Sequence, residues 1–119
     1  MTIPEFYDAI GGGYQDAIGR LLDDKRIRKY VYKFEACTDY ADLLAALEAG
    51  NYADAFRFSH NLKGMGLNLS LGVLAESSHV LCEALRGGPP TEDITPLVDK
   101  VKQDYALVLE NIAILKATE

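Results

Sequence analysis

The sequence predicts an all-α fold, an antiparallel four-helix bundle with short additional N-terminal helices. Three observations carry that expectation. Apolar residues recur at three- and four-residue spacing along almost the whole chain, the period of a helix with one buried face. Alternating β-branched runs bounded by turns, the mark of strands, are absent. Glycine and proline clusters cut the chain into segments of helical length joined by short loops, and long amphipathic helices so joined most simply pack antiparallel.

In chain order, Gly11-Gly12-Gly13 closes a short first helix, and a second short helix occupies residues near 14–22. A long helix is expected from about Asp24 to Glu48, with a dip in helix propensity at Thr38-Asp39 as its weak point. Gly50-Asn51 breaks the chain before a helix from Tyr52 to Leu67, and another runs from Leu71 to Arg86. Gly87-Gly88-Pro89-Pro90 is the clearest loop. The last helix starts near Glu92 or Pro96 and ends near Lys116; Pro96 suits a first turn capped by either Thr95 or Thr91. Its buried stripe reads Leu97, Val98, Val101, Tyr105, Val108, Leu109, Ile112 and Leu115, with Lys100, Lys102, Asp104 and Glu110 between.

A chain of 119 residues, 49% hydrophobic and 25% charged, suits one soluble domain over 1–119 with one core. Pro4, Glu5 and Asp8 interrupt the only stretch resembling a leader, and no later stretch could span a bilayer, so a cytoplasmic protein without a membrane partner is expected. Cys37 and Cys82 lack ligand spacing and fall in helical stretches, where free cysteine acts as a small core residue. A net charge of -6 argues against wrapping nucleic acid. The cations Lys25, Arg26, Arg28, Lys29 and Lys33 crowd one segment, which reads as a solvated helix face.

The stretch from Phe58 to Leu69 carries the chemistry. On a helical wheel Ala55, Phe58, Leu62, Met65 and Leu69 lie within about 40° of the side opposite His60, so the core stripe leaves the imidazole facing outward. Ala53, Phe56, Arg57, Lys63, Gly64 and Leu67 fall within about 60° of His60. Such an arc mixes apolar residues, two cations and a glycine on an outward face, and Gly64 and Gly66 each cost about 1 kcal/mol relative to alanine inside a helix. An apolar patch around an exposed imidazole suits docking of a partner, which glycine lets approach the backbone. Lys63, one turn beyond His60, can place its ammonium beside a phosphoryl group on the ring, and Arg57, one turn before, adds to the positive field or is ordinary surface charge.

His60-x-x-Lys63-Gly64 followed by Asn68-Leu69 resembles the signature of the histidine phosphotransfer domains of two-component phosphorelays. The preceding Leu43-Leu44-x-x-Leu47-x-x-Gly50 and the following Leu74 to Leu85 helix are similar to that family as well. The resemblance implies that His60 accepts phosphate from a receiver-domain aspartyl phosphate and relays it to another receiver. It implies His60, Lys63 and Gly64 as site residues, and the outward arc of the wheel puts Ala53, Phe56, Arg57 and Leu67 at the partner interface. Partners would be response-regulator receiver domains and a hybrid sensor kinase; a monomer is expected because one small domain with one docking face suffices for shuttling. Magnesium would sit on the receiver, so this chain needs no metal or cofactor, and it has no ATP-binding motif with which to act as a kinase. The chain departs from the family at Met65, where a small residue is common, at Ser70 in place of a common glycine, and at Cys82, where some members contact the imidazole with a polar side chain. Water, Ser78 or His79 are then the candidates for holding the ring.

Three other readings compete. His60 and His79 could share a metal, but no Cys-x-x-Cys or Glu-x-x-His pattern accompanies them. A docking module would use Phe56 and Leu67 without ever phosphorylating His60. A bundle enzyme would require paired carboxylates, or a nucleophile beside a base, on the His60 face.

Overall fold

The computed structural model describes residues 1–118, and among them every regular element is a helix. The order is α1 (Ile3–Ala9), α2 (Tyr14–Leu21), α3 (Asp24–Glu35), α4 (Asp39–Glu48), α5 (Tyr52–Asn68), α6 (Gly72–Leu85) and α7 (Thr95–Ala117).

Local chemistry sets most of the starts. Thr2 and Glu5 form a reciprocal capping box at α1, each side chain accepting the other's backbone N–H. Asp23 accepts the Arg26 N–H at the start of α3, and Asn51 accepts the Asp54 N–H at the start of α5. At α7 neither threonine caps the helix. Asp93 does the work from outside it, taking both the N–H and the hydroxyl of Thr95 at 3.0 and 2.7 Å, while Pro96 sits in the first turn where its missing N–H costs nothing.

The single helix expected from Asp24 to Glu48 is two. α3 ends at a cap on Ala36, and α4 begins after Thr38, whose hydroxyl donates to Asp42. The break falls where propensity dips, and it lets Phe34 and Leu43 both turn into the core. Cys37 lies in this connection and is exposed, so it is no core residue; Cys82 is buried as expected.

α5 packs between α4 and α6, α6 packs also on α7, and α7 receives α1 and α3. The core runs through Phe6, Ile27, Leu43, Leu62, Leu81 and Ile112. On α7 the stripe is buried at Val101, Tyr105, Val108, Ile112 and Leu115, but Asp104 joins it. That carboxylate is 5% exposed and is held by Lys100 at 2.6 Å, which keeps a buried charge paired.

Three contacts fix the C-terminal half of α5. A Cβ built on Gly66 would stand 3.0 Å from the Ala75 Cα, so glycine is what lets α5 and α6 approach. The Tyr7 hydroxyl donates to the Leu69 carbonyl at 2.7 Å. Arg20 donates from one nitrogen to the carbonyls of Leu67 and Asn68 and to the Ser70 hydroxyl, adding to the backbone N–H of Ser70 that the Leu67 carbonyl already accepts. Asp16 completes this latch by accepting from Arg20 and from the Ser70 hydroxyl at 3.0 and 2.7 Å. Ser70 has φ of 56°, the left-handed conformation for which glycine is the usual residue. Here the hydroxyl's place in the latch offsets the strain and accounts for serine at that turn.

Candidate functional site

α5 buries Ala55, Ser59, Leu62 and Gly66, and it half-buries Phe58 and Met65. The buried arc is thus rotated toward α6 relative to the sequence-based wheel, because Gly66 closes on Ala75. Gly66 therefore belongs to the packing and not to the outward face. His60 remains exposed on the opposite side.

The residues expected around His60 divide into three groups. Ala53, Gly64 and Leu67 are open. Ala53 is exposed, Leu67 is 53% exposed, and a Cβ on Gly64 would meet nothing within 4 Å. No packing contact accounts for a glycine at 64. Phe56 and Arg57 are engaged locally. Phe56 is half-buried, with its ring centroid 6.3 Å from that of His60 and the guanidinium of Arg86 over its ring at 5.1 Å. Arg57 donates to Asp54 at 3.1 Å and lies 4.7 Å from the Phe58 ring centroid, so its charge is partly spent on Asp54.

Lys63 stands apart. It is half-buried and has no hydrogen bond or ion pair among the described residues. With His79 and Glu76 of α6 and the Asp16–Arg20–Ser70 latch it lines a groove of about 550 Å³. Glu83 feels it electrostatically. That carboxyl is held below the usual glutamate range, first by the hydrogen bond from Arg86, with the positive charges of Arg86, His79 and Lys63 adding to the effect.

Neither Ser78 nor His79 holds the His60 ring, which makes no hydrogen bond among the described residues. Ser78 is fully buried with its hydroxyl oxygen unpartnered, and the buried Nδ1 of His79 is unpartnered too. No cluster of three or more His, Cys, Asp or Glu side chains capable of holding a metal occurs among the described residues, and no helix among them is long and apolar enough to cross a membrane.

One residue packed against the Phe56 ring escaped the sequence reading. Arg86, at the end of α6, donates to both oxygens of Glu83 at 2.8 and 3.2 Å and reaches across to the Phe56 ring. Its signal in the sequence was the Glu83/Arg86 spacing of three, which marks a helix-surface ion pair but not the helix it faces.

The site therefore offers an exposed nucleophilic imidazole beside an open backbone glycine and an exposed leucine, with one uncommitted lysine a turn away. No protein-family model, curated protein or solved structure matches this chain.

Proposed function

We propose that this chain is a cytoplasmic, monomeric histidine phosphotransfer carrier of a two-component relay. The observation that carries the reading is the combination of exposed His60 with open Gly64 on one face of α5, with Lys63 free of any ion pair among the described residues. The same reading takes α3 with α4, then α5, α6 and α7, as the four arms of an antiparallel bundle, with α1 and α2 as the additional N-terminal helices.

In the transfer, a ring nitrogen of His60 attacks the phosphorus of a receiver's aspartyl phosphate. The P–O bond to the aspartate breaks and an N–P bond to the imidazole forms; the return step to a second receiver reverses this. Positioning and charge neutralisation supply most of the rate in such reactions. Gly64 and Leu67 would seat the receiver, Ala53 and Phe56 would border it, and Lys63 would neutralise the phosphoryl oxygens. The receiver would bring magnesium and its own acidic residues, so this chain contributes a nucleophile and a docking face and does not act as a kinase.

A second reading, docking alone, rests on the exposed Leu67 and on the Phe56 ring beside His60. Transfer of radiolabelled phosphate from a panel of phosphorylated receiver domains separates the two. Acid-labile, alkali-stable label on the wild type and none on His60→Gln, with the helical circular dichroism unchanged, supports the carrier. Receiver binding that survives His60→Gln, with no label on either protein, replaces it with the docking module.

A further inference from the structure

The basic run that reads in sequence as a solvated helix face gathers, in the structure, on one side of α3. Lys25, Arg26 and Lys33 lie within about 60° of Lys29 on the helical wheel. All four are exposed, and they spread over about 12 Å of the helix axis. The acids of this segment are committed to other contacts. Asp23 caps the helix and lies 3.9 Å from the Arg26 guanidinium, Asp24 accepts the Tyr14 hydroxyl at 2.7 Å, and Glu35 pairs with Lys116 of α7. Lys25, Lys29 and Lys33 take part in no ion pair among the described residues. We propose that this face lays α3 flat on an anionic lipid surface, with Leu22 entering the apolar layer and Tyr30 seated among the headgroups.

Leu22 is the residue that a merely solvated face leaves without a reason. It stands in the turn just before α3 and is 66% exposed, more than any other large apolar residue among those described. Its φ of 80° and ψ of -44° form a turn that is strained for a bulky side chain and that glycine would adopt freely. Neither packing nor backbone preference calls for leucine there, whereas a single projecting apolar side chain beside a row of cations matches a sheet of negative charge over an apolar layer. Tyr30 is 41% exposed, with the Lys33 ammonium 5.6 Å from its ring centroid, and amphipathic rings are favoured at headgroup depth. A net charge of -6 does not forbid the approach. The molecule is at least 20 Å across, so with α3 against the surface the acids of the far side lie beyond the screening length of about 8 Å. The contact is peripheral and reversible, because four cations and one leucine fall far short of an inserted helix.

The test sediments the full chain with vesicles of phosphatidylcholine alone and of phosphatidylcholine with phosphatidylserine in equal parts, at low and high salt. Wild type should bind the mixed vesicles only and leave them in high salt. Lys25→Ala and Lys29→Ala should each weaken binding roughly five-fold. Lys102→Ala, which removes an exposed lysine of α7, should not change it. Leu22→Gly should weaken binding roughly ten-fold, as loss of a buried leucine would, while raising the melting temperature, because glycine takes the φ of 80° without strain. Opposite signs for binding and stability are what a merely structural leucine would not give.

No binding to the mixed vesicles, equal binding to both kinds, a loss with Lys102→Ala as large as with Lys29→Ala, or unchanged binding of Leu22→Gly would each overturn the inference. Binding to polyglutamate or to duplex DNA in solution, with none to the mixed vesicles, would overturn it as well and assign the face to an acidic protein or a nucleic acid.

Discussion

Gly64 and Gly66 sit two residues apart on α5 and do opposite things. A side chain at 66 would run into the backbone of Ala75, whereas a side chain at 64 would project into open space. The difference teaches that one helix can spend its glycines on two surfaces: Gly66 sets how closely α5 and α6 pack, and Gly64 leaves the His60 face flat. A sequence shows only two helix-weakening residues, and the neighbouring helix decides which is structural.

That contrast can be broken most directly at the packed side. Gly66→Val should destabilise the protein by about 3 kcal/mol, because its side chain meets helix backbone and not a flexible side chain. Urea unfolding measures it, and a loss no larger than that of Gly64→Val would erase the distinction. Tyr7→Phe tests the same buried end of α5. Removing the hydroxyl that serves the Leu69 carbonyl should cost about 1–2 kcal/mol, read from the same unfolding curves.

The open side should respond in the other direction. Gly64→Ala is expected to stabilise by up to about 1 kcal/mol, since the helix gains alanine's propensity without a clash. A larger residue at 64 should leave stability unchanged and, on the proposed carrier function, weaken binding of a receiver domain, measured by titration calorimetry. Leu67→Lys should likewise shift stability by less than about 0.5 kcal/mol while reducing that binding.

The latch at the end of α5 sharpens the comparison through pH. Asp16 is held below its ordinary value of 3.8, chiefly by the Ser70 hydrogen bond and then by Arg20. A carboxyl whose folded pKa is depressed stabilises above its unfolded pKa, and that contribution is lost as pH falls through the folded value. The melting-temperature gap between wild type and Asp16→Asn should therefore be greatest near neutral pH and shrink as the pH falls below the ordinary aspartate value of 3.8. A gap independent of pH would mean that the latch works without the aspartate's charge.

Much of the fold was legible because it rests on local chemistry. Helical spacing, the Gly11-Gly12-Gly13 and Gly87-Gly88-Pro89-Pro90 turns and the α7 stripe each appear in the structure close to where the residues suggest. Outward projection of His60 was legible too, since a wheel with Ala55 and Leu62 opposite it leaves one answer. The α3–α4 break was visible only as a dip at Thr38-Asp39, and propensity alone could not say whether packing would override it. Cys37 went wrong for the same reason: the break leaves its side chain exposed, whereas other connection residues such as Ile10 and Leu71 are buried.

By itself the sequence determined the helical class, most of the element boundaries, and the exposure of an imidazole flanked by Lys63 and Gly64. These follow from periodicity and from residue-level propensities, which act over a few neighbours. Tertiary structure alone decided that Gly66 is a contact and Gly64 is not, that Asp104 is buried against Lys100, that Ser70 completes a latch with Asp16 and Arg20, and that Arg86 lies beside Phe56. Each of these depends on which residues from distant segments meet, and that is fixed by the packing of whole helices against one another and not by any spacing within one.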